Sequence, residues 1–235
     1  LGFAHDFSLF ISFFLHCPLF AMNRRGFFSS LFGREPQSFF FGVQVVIETF
    51  SIDNLGKRLR TLIAQADNEK KSLEKPAQKQ AWFKQFLSII TEHKPHWEYG
   101  FWDFHEDEGN NADEMEFESW LGEITASIAT ESEELGAHID EAHRLSADKS
   151  YIVATIALVL EYAPQRSVYE LLEKIPEEEY WTISGFSELF EALRRVNFEY
   201  VLRDAVFVMP GNDDDGFSWE DLHSADWNYL KSLTL

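Results

Sequence analysis

Cysteine occurs once in the chain, at Cys17, so no internal disulfide forms and the fold does not depend on an oxidising compartment. Glycine is also scarce, and its placement matches no G-x-G-x-x-G, Walker or G-x-S-x-G pattern. Basic residues are outnumbered, 20 Lys and Arg against 40 Asp and Glu. The resulting net charge of −20 repels phosphate backbones and excludes a direct nucleic-acid binder on electrostatic grounds. Long apolar runs are missing too. A spanning helix needs about 20 apolar residues. The stretch "FSLFISFFLHCPLFA" is shorter and is broken by His16 and Pro18, and "SYIVATIALVLEYA" is shorter as well.

What is present is enough for a packed core. The 235 residues are 45% hydrophobic and 16% aromatic, which excludes intrinsic disorder and fits one domain plus a tail. Residues 1–36 read as a hydrophobic and basic tail, and 37–235 as the globular domain. Within the tail, 1–21 read as upstream sequence or a truncated anchor, with a natural start at Met22. A secretory signal is not matched, because a positive n-region and an A-x-A site are lacking. Residues 22–34, "MNRRGFFSSLFGR", put Phe27, Phe28, Leu31 and Phe32 on one helical face between arginines. Such a segment suits a membrane surface. The competing reading is a poorly ordered tail. The expected location is cytoplasmic or membrane-associated.

Periodicity predicts the elements of the body. "FFFGVQVVIETF" alternates as a strand, with Val43, Val45 and Ile47 on one side. Leu55, Leu59, Leu62 and Ile63 repeat as a helix that Asp53 can cap. Pro76 suits the first turn of a second helix, buried through Trp82, Phe83, Phe86, Leu87, Ile89 and Ile90 and ended before Pro95. In "PHWEYGFWDFHEDEG" a two-residue period carries Trp97, Tyr99 and Phe101, and the apolar residues stop at Phe104. A helix over 114–144, broken near Gly136, then leads to a β-branched strand at 151. Another helix starts near Ser184 or Ser187, and "YVLRDAVFVMP" forms a last strand. The order β-α-α-β-α-β-α-β predicts a single α+β domain, with about four mixed or antiparallel strands under packed helices.

Charge is polarised along the chain. Residues 53–94 hold nine Lys/Arg against five Asp/Glu, whereas 95–235 hold eight against 32. One reading is a solvated acidic surface. The other is a bipolar molecule whose acidic lobe meets a basic partner, or whose basic helix meets an anionic membrane.

Motifs for chemistry are sparse. Aligning Gly109 with the sixth position of a calcium loop puts Phe104 first, and aligning Gly216 puts Gly211 first and Leu222 twelfth; neither supplies the ligands. Candidate ligands for a hard cation are His105, Asp107 and Glu108. His93 and His96 are separated by Pro95, and His138 and His143 diverge on a helix, so a zinc site is not indicated. No cofactor and no catalytic residue is assigned. Trp82 and Trp97 belong to the core by spacing, while Trp102, Trp219 and Trp227 are free to line a partner groove.

Three blocks carry a family resemblance: "VQVVIETFSIDNLGKRLRTLIAQAD", "FLSIITEHKPHWEYG", and "SYIVATIAL" with "FSELFEALRRVNFEYVLRDAVFVMPGNDDDGFSWEDL". Over residues 39–235 their order resembles the family catalogued as domain of unknown function 1517, found in cyanobacteria, plastids and other bacteria. The chain departs from it at Phe207 and Met209, where members carry Glu and Trp, and in lacking a glycine-rich spacer. That family has no established catalytic residues, and its plant members are linked to photosynthetic acclimation. The resemblance therefore implies regulation rather than a reaction. The expectation is a non-catalytic, acidic, protein-binding regulatory module that could associate with membranes. The alternative is a hydrolase using carboxylates of a 103–118 acidic loop, with or without a divalent cation.

Overall fold

The computed structural model describes residues 36–49, 54–68, 75–107, 111–136, 151–210, 217–223 and 227–235, except the side chains of 67–68 and 127–136. The membrane candidate at 22–34, Asp53, Glu108, His138 and His143 lie outside these residues. Five strands are described: β1 (Ser38–Glu48), β2 (Trp97–Glu106), β3 (Tyr151–Glu161), β4 (Val201–Met209) and β5 (Lys231–Ser232). They form one antiparallel sheet in the order β4-β3-β1-β2-β5. The helices are α1 (Leu55–Asn68), α2 (Pro76–Glu92), α3 (Ala112–Gly136), α4 (Arg166–Lys174), α5 (Ile183–Arg195) and α6 (Trp219–Leu222). The expected α+β domain is therefore observed, with a fifth, two-residue strand.

β1 is central because both of its faces are apolar and both are covered. Phe39, Phe41, Val43, Val45 and Ile47 pack with Ile152, Ile156 and Leu158 of β3 against α1, α2, α4 and α5. The anchors on those helices include Leu59, Phe83, Phe86, Leu172, Leu189 and Phe190, none more than 2% exposed. Each is worth about 2 kcal/mol of burial free energy. On the opposite face, Phe40, Ala157 and Val159 meet Phe117 and Trp120 of α3. Further along it, Val46, Val153 and Met209 meet Phe217, Leu222 and Trp227 of the C-terminal segment. Gly42 makes the α3 contact possible, since a Cβ there would stand 2.8 Å from the Trp120 ring.

Three local expectations are corrected. First, two helices, not one, separate β3 from β4. α4 has only nine residues and no side-chain cap at Gln165, so it shows too little repeat to register in sequence. Second, α5 begins with Thr182 as its cap, whose Oγ1 accepts the Gly185 N–H at 3.0 Å. Ser187 is inside the helix and donates to Ile183 O at 2.6 Å. Third, residues 103–118 are not one loop. β2 continues to Glu106, and α3 begins at Ala112 with Asp113 and Glu114 in its first turn, where the helix dipole favours acids. Among the described residues, no helix is long and apolar enough to cross a membrane.

Candidate functional site

Period-two geometry in β2 points Tyr99, Phe101, Asp103 and His105 to the α3 face, where their β1 partners are Val46, Gln44, Gly42 and Phe40. Above them α3 presents Glu116, Trp120 and Glu123 at helical spacing. Strand and helix thereby gather a half-buried polar cluster. Asp103 Oδ2 lies 3.1 Å from His105 Nε2, and Glu116 Oε2 lies 3.9 Å from the same nitrogen. Asp103 is fixed through its other oxygen, which accepts the Phe104 N–H at 2.8 Å.

The electrostatics of the cluster follow from burial and like charge. Burial opposes the His105 imidazolium, but the Asp103 hydrogen bond and the charges of Asp103 and Glu116 outweigh it and raise its pKa. Burial raises Glu116; the charge of His105 and the Trp120 indole work against that rise, while Asp103 adds to it. Glu123 is pushed up to about 7, by burial first and then by Glu116. Glu123 can therefore take up or release a proton near neutrality. One donor atom each from Asp103, His105 and Glu116 also fall within 4.8 Å of one another, which suits a divalent cation in reach, though clustered acids commonly hold none.

The expected residues distribute differently. His105 joins the cluster. Asp107 does not: its carboxylate accepts the N–H of Asn111, the residue before α3, at 3.1 Å, with Asn111 at φ 57°. Spacing along the chain could not disclose Asp103 and Glu116 as neighbours, because pairing across β2 and α3 brings them together. Glu106 is 7% exposed, so it is not one of the hydrated acids; the Tyr169 hydroxyl donates to it.

The three tryptophans do not share one groove. Trp102 is 7% exposed in the core beneath α1, α2, α4 and α5, and its indole donates to Tyr180 O at 3.3 Å. Trp227 is buried on the α3 side against Phe217, with the sheet between it and Trp102. Trp219 is 52% exposed and stacks on His223 at 3.9 Å.

The fold carries part of the charge polarity of the sequence into space, since α4 and α5, on the side of α1 and α2, hold four Lys/Arg and four Glu. α1 and α2 carry Lys57, Arg58, Arg60, Lys79 and Lys84 on one side of the sheet. α3 carries Asp113, Glu114, Glu116, Glu118 and Glu123 on the other, and no Lys or Arg. A groove of about 430 Å³ lies between α1 and α2, crossed by the Arg58–Glu92 pair at 2.8 Å. Comparison with known proteins finds no matching family model, no matching curated protein and no matching solved structure.

Proposed function

We propose that the domain is a non-catalytic regulatory module that binds a basic protein partner through the acidic, α3-bearing side of its sheet. The observation that carries this reading is the separation of charge across the sheet, with the all-acidic α3 on one face and the basic α1 and α2 on the other. Separated patches of this kind steer association and lose strength as salt screens them. The family resemblance supports the regulatory part. Attachment to an anionic membrane through residues 22–34 belongs to the same reading.

Capture from native lysate at low salt, then elution in about 0.5 M salt, tests it. Basic proteins should bind the natural chain and be lost from a Ser119→Lys/Thr125→Lys variant, which changes two exposed α3 positions. Equal capture by both forms, or retention at high salt, overturns the proposal.

A second reading, hydrolysis by carboxylates of 103–118 together with Glu123 further along α3, has one observation in its favour. Glu123 is held at about 7, where a general acid–base group works near neutral pH. A hydrolase screen of the natural chain, Glu123→Gln and Asp107→Asn tests it. Turnover lost only in Glu123→Gln supports it, and no turnover by the natural chain rejects it.

A further inference from the structure

We propose that the outer edge of β4 is a strand-addition site for an extended segment that alternates apolar and basic residues. This rests on the basic-partner reading and names the surface that the partner uses. The two edges of the sheet are treated unequally. At β2, β5 pairs with Tyr99 and Gly100, and the Leu233 N–H donates to Glu98 O at 2.8 Å. Further along, Asp103 Oδ1 occupies the outward N–H of Phe104. These are devices that protect an edge from pairing.

Among the described residues β4 has no such cover. The Tyr162 N–H donates to Gln37 O at 2.9 Å, so even-numbered residues of β3 bond to β1 and odd-numbered ones bond to β4. Opposite those odd residues stand Arg203, Ala205, Phe207 and Met209. Asp204, Val206 and Val208 consequently aim their N–H and C=O groups away from the sheet. Among the described residues no strand pairs with that side, and no hydrogen bond reaches those three amides. Arg60 closes one end by donating to Pro210 O at 2.9 Å. The other end exposes apolar surface, with Leu202 49% and Tyr200 37% accessible.

Charge selects the occupant. Beside the edge on the α3 side, one guanidinium, Arg203, serves two carboxylates, Glu114 at 3.0 Å and Glu118. On the other side Asp204 is matched by Lys79. An added strand therefore meets unbalanced negative charge toward α3 and the half-buried Val206 on its other face. Lys or Arg suits the first and an apolar side chain the second. A second copy of the chain fits less well: antiparallel pairing of β4 with its own copy would set one acidic α3 beside another.

The probe is a fluorescent Val/Lys alternating peptide as long as β4, read by anisotropy with the full chain. A Val/Glu peptide and a Val/Lys peptide N-methylated on its pairing amides are controls. Binding of the Lys peptide alone, weakened at least about tenfold by Val206→Pro, is the expected result. Proline at 206 removes an outward N–H and leaves the ladder to β3 intact. Should that variant fail to fold, the N-methylated peptide decides alone, because its side chains are unchanged. Equal binding by the N-methylated peptide, or unchanged binding by a folded Val206→Pro, overturns the edge site. So does a dimer that Val206→Pro disperses while no peptide binds. Loss of basic-partner capture in Ser119→Lys/Thr125→Lys, alongside unchanged peptide binding by Val206→Pro, removes the edge and leaves the acidic-face reading standing.

Discussion

The Tyr169 hydroxyl donates a hydrogen bond to the Glu106 carboxylate, tying α4 to the last residue of β2. The same hydroxyl lies 3.1 Å from Glu173 Oε1, and the Tyr169 ring meets Phe39 edge-on at 5.6 Å. Burial comes first, and then the two glutamates, in pushing the phenol pKa above its usual value, so it stays a donor at any ordinary pH. Tyr169→Phe should remove the bond and keep the ring packing, costing about 1–3 kcal/mol in urea unfolding. Combined with Glu106→Gln, the loss should fall short of the sum of the two single losses. Strict additivity would show that the pair is not coupled.

The acidic cluster gives the domain a pH dependence of definite sign. Glu123 is raised from 4.5 to about 7 in the folded chain, so folding holds a proton that the unfolded chain has released. Its contribution is full below the unfolded value and is lost as pH rises toward 7. Glu116 and His105 are also raised and act in the same direction. In the presence of a chelator, Glu123→Gln should match the natural chain at low pH and exceed it by about 1 kcal/mol at pH 8, a figure reduced for solvent at a half-buried site. Parallel stability curves for the two proteins across that range would contradict the assignment.

The elements that sequence disclosed are those with a sustained period and a covered apolar face. β1 alternates over "FGVQVVI", and α2 repeats Phe83, Phe86, Leu87 and Ile90, all buried as periodicity requires. α4 escaped because nine residues offer only Val168, Tyr169 and Leu172 as a stripe. The acidic cluster escaped for a different reason. Asp103 and His105 lie on β2 and Glu116 on α3, and only the placement of α3 over Gly42 brings them within reach. Nor does composition show which acids are buried: Glu106 and Asp113 sit below 9% exposure amid a run that reads as hydrated.

The C-terminal segment is seated by a polar contact inside an apolar face. Gln44 is 3% exposed; its amide donates to Thr155 Oγ1 at 3.0 Å, and its carbonyl oxygen accepts the Tyr229 hydroxyl at 2.8 Å. Tyr229→Phe leaves that buried oxygen without this donor and should cost about 1–2 kcal/mol. Hydrogen exchange localises the effect: the Leu233 amide, which bonds to Glu98 O, should exchange faster than the amides of β1. Uniform acceleration throughout the sheet would instead mean that the segment is not a separate unit.

Gly42 and Trp120 set the height of α3 above the sheet, and with it the geometry of the acidic cluster. A Cβ at residue 42 would fall 2.8 Å from the Trp120 ring and 2.6 Å from that of Phe40, closer than side chains tolerate. Neither ring has free room to retreat, since Trp120 is 3% and Phe40 0% exposed. Gly42→Ala should therefore destabilise by about 1–3 kcal/mol, the usual cost of overpacking. Trp120→Leu alone should also destabilise, by opening a cavity. Together the two changes should cost less than their sum, because the smaller side chain makes room for the methyl group. The Gly42→Ala single variant also links packing to charge: if α3 is held at its height by this contact, the Glu123 proton should shift toward the ordinary carboxyl value as the helix lifts and water enters. An unshifted Glu123 titration, followed by carboxyl-carbon NMR, in a folded Gly42→Ala chain would show that the contact does not control the cluster.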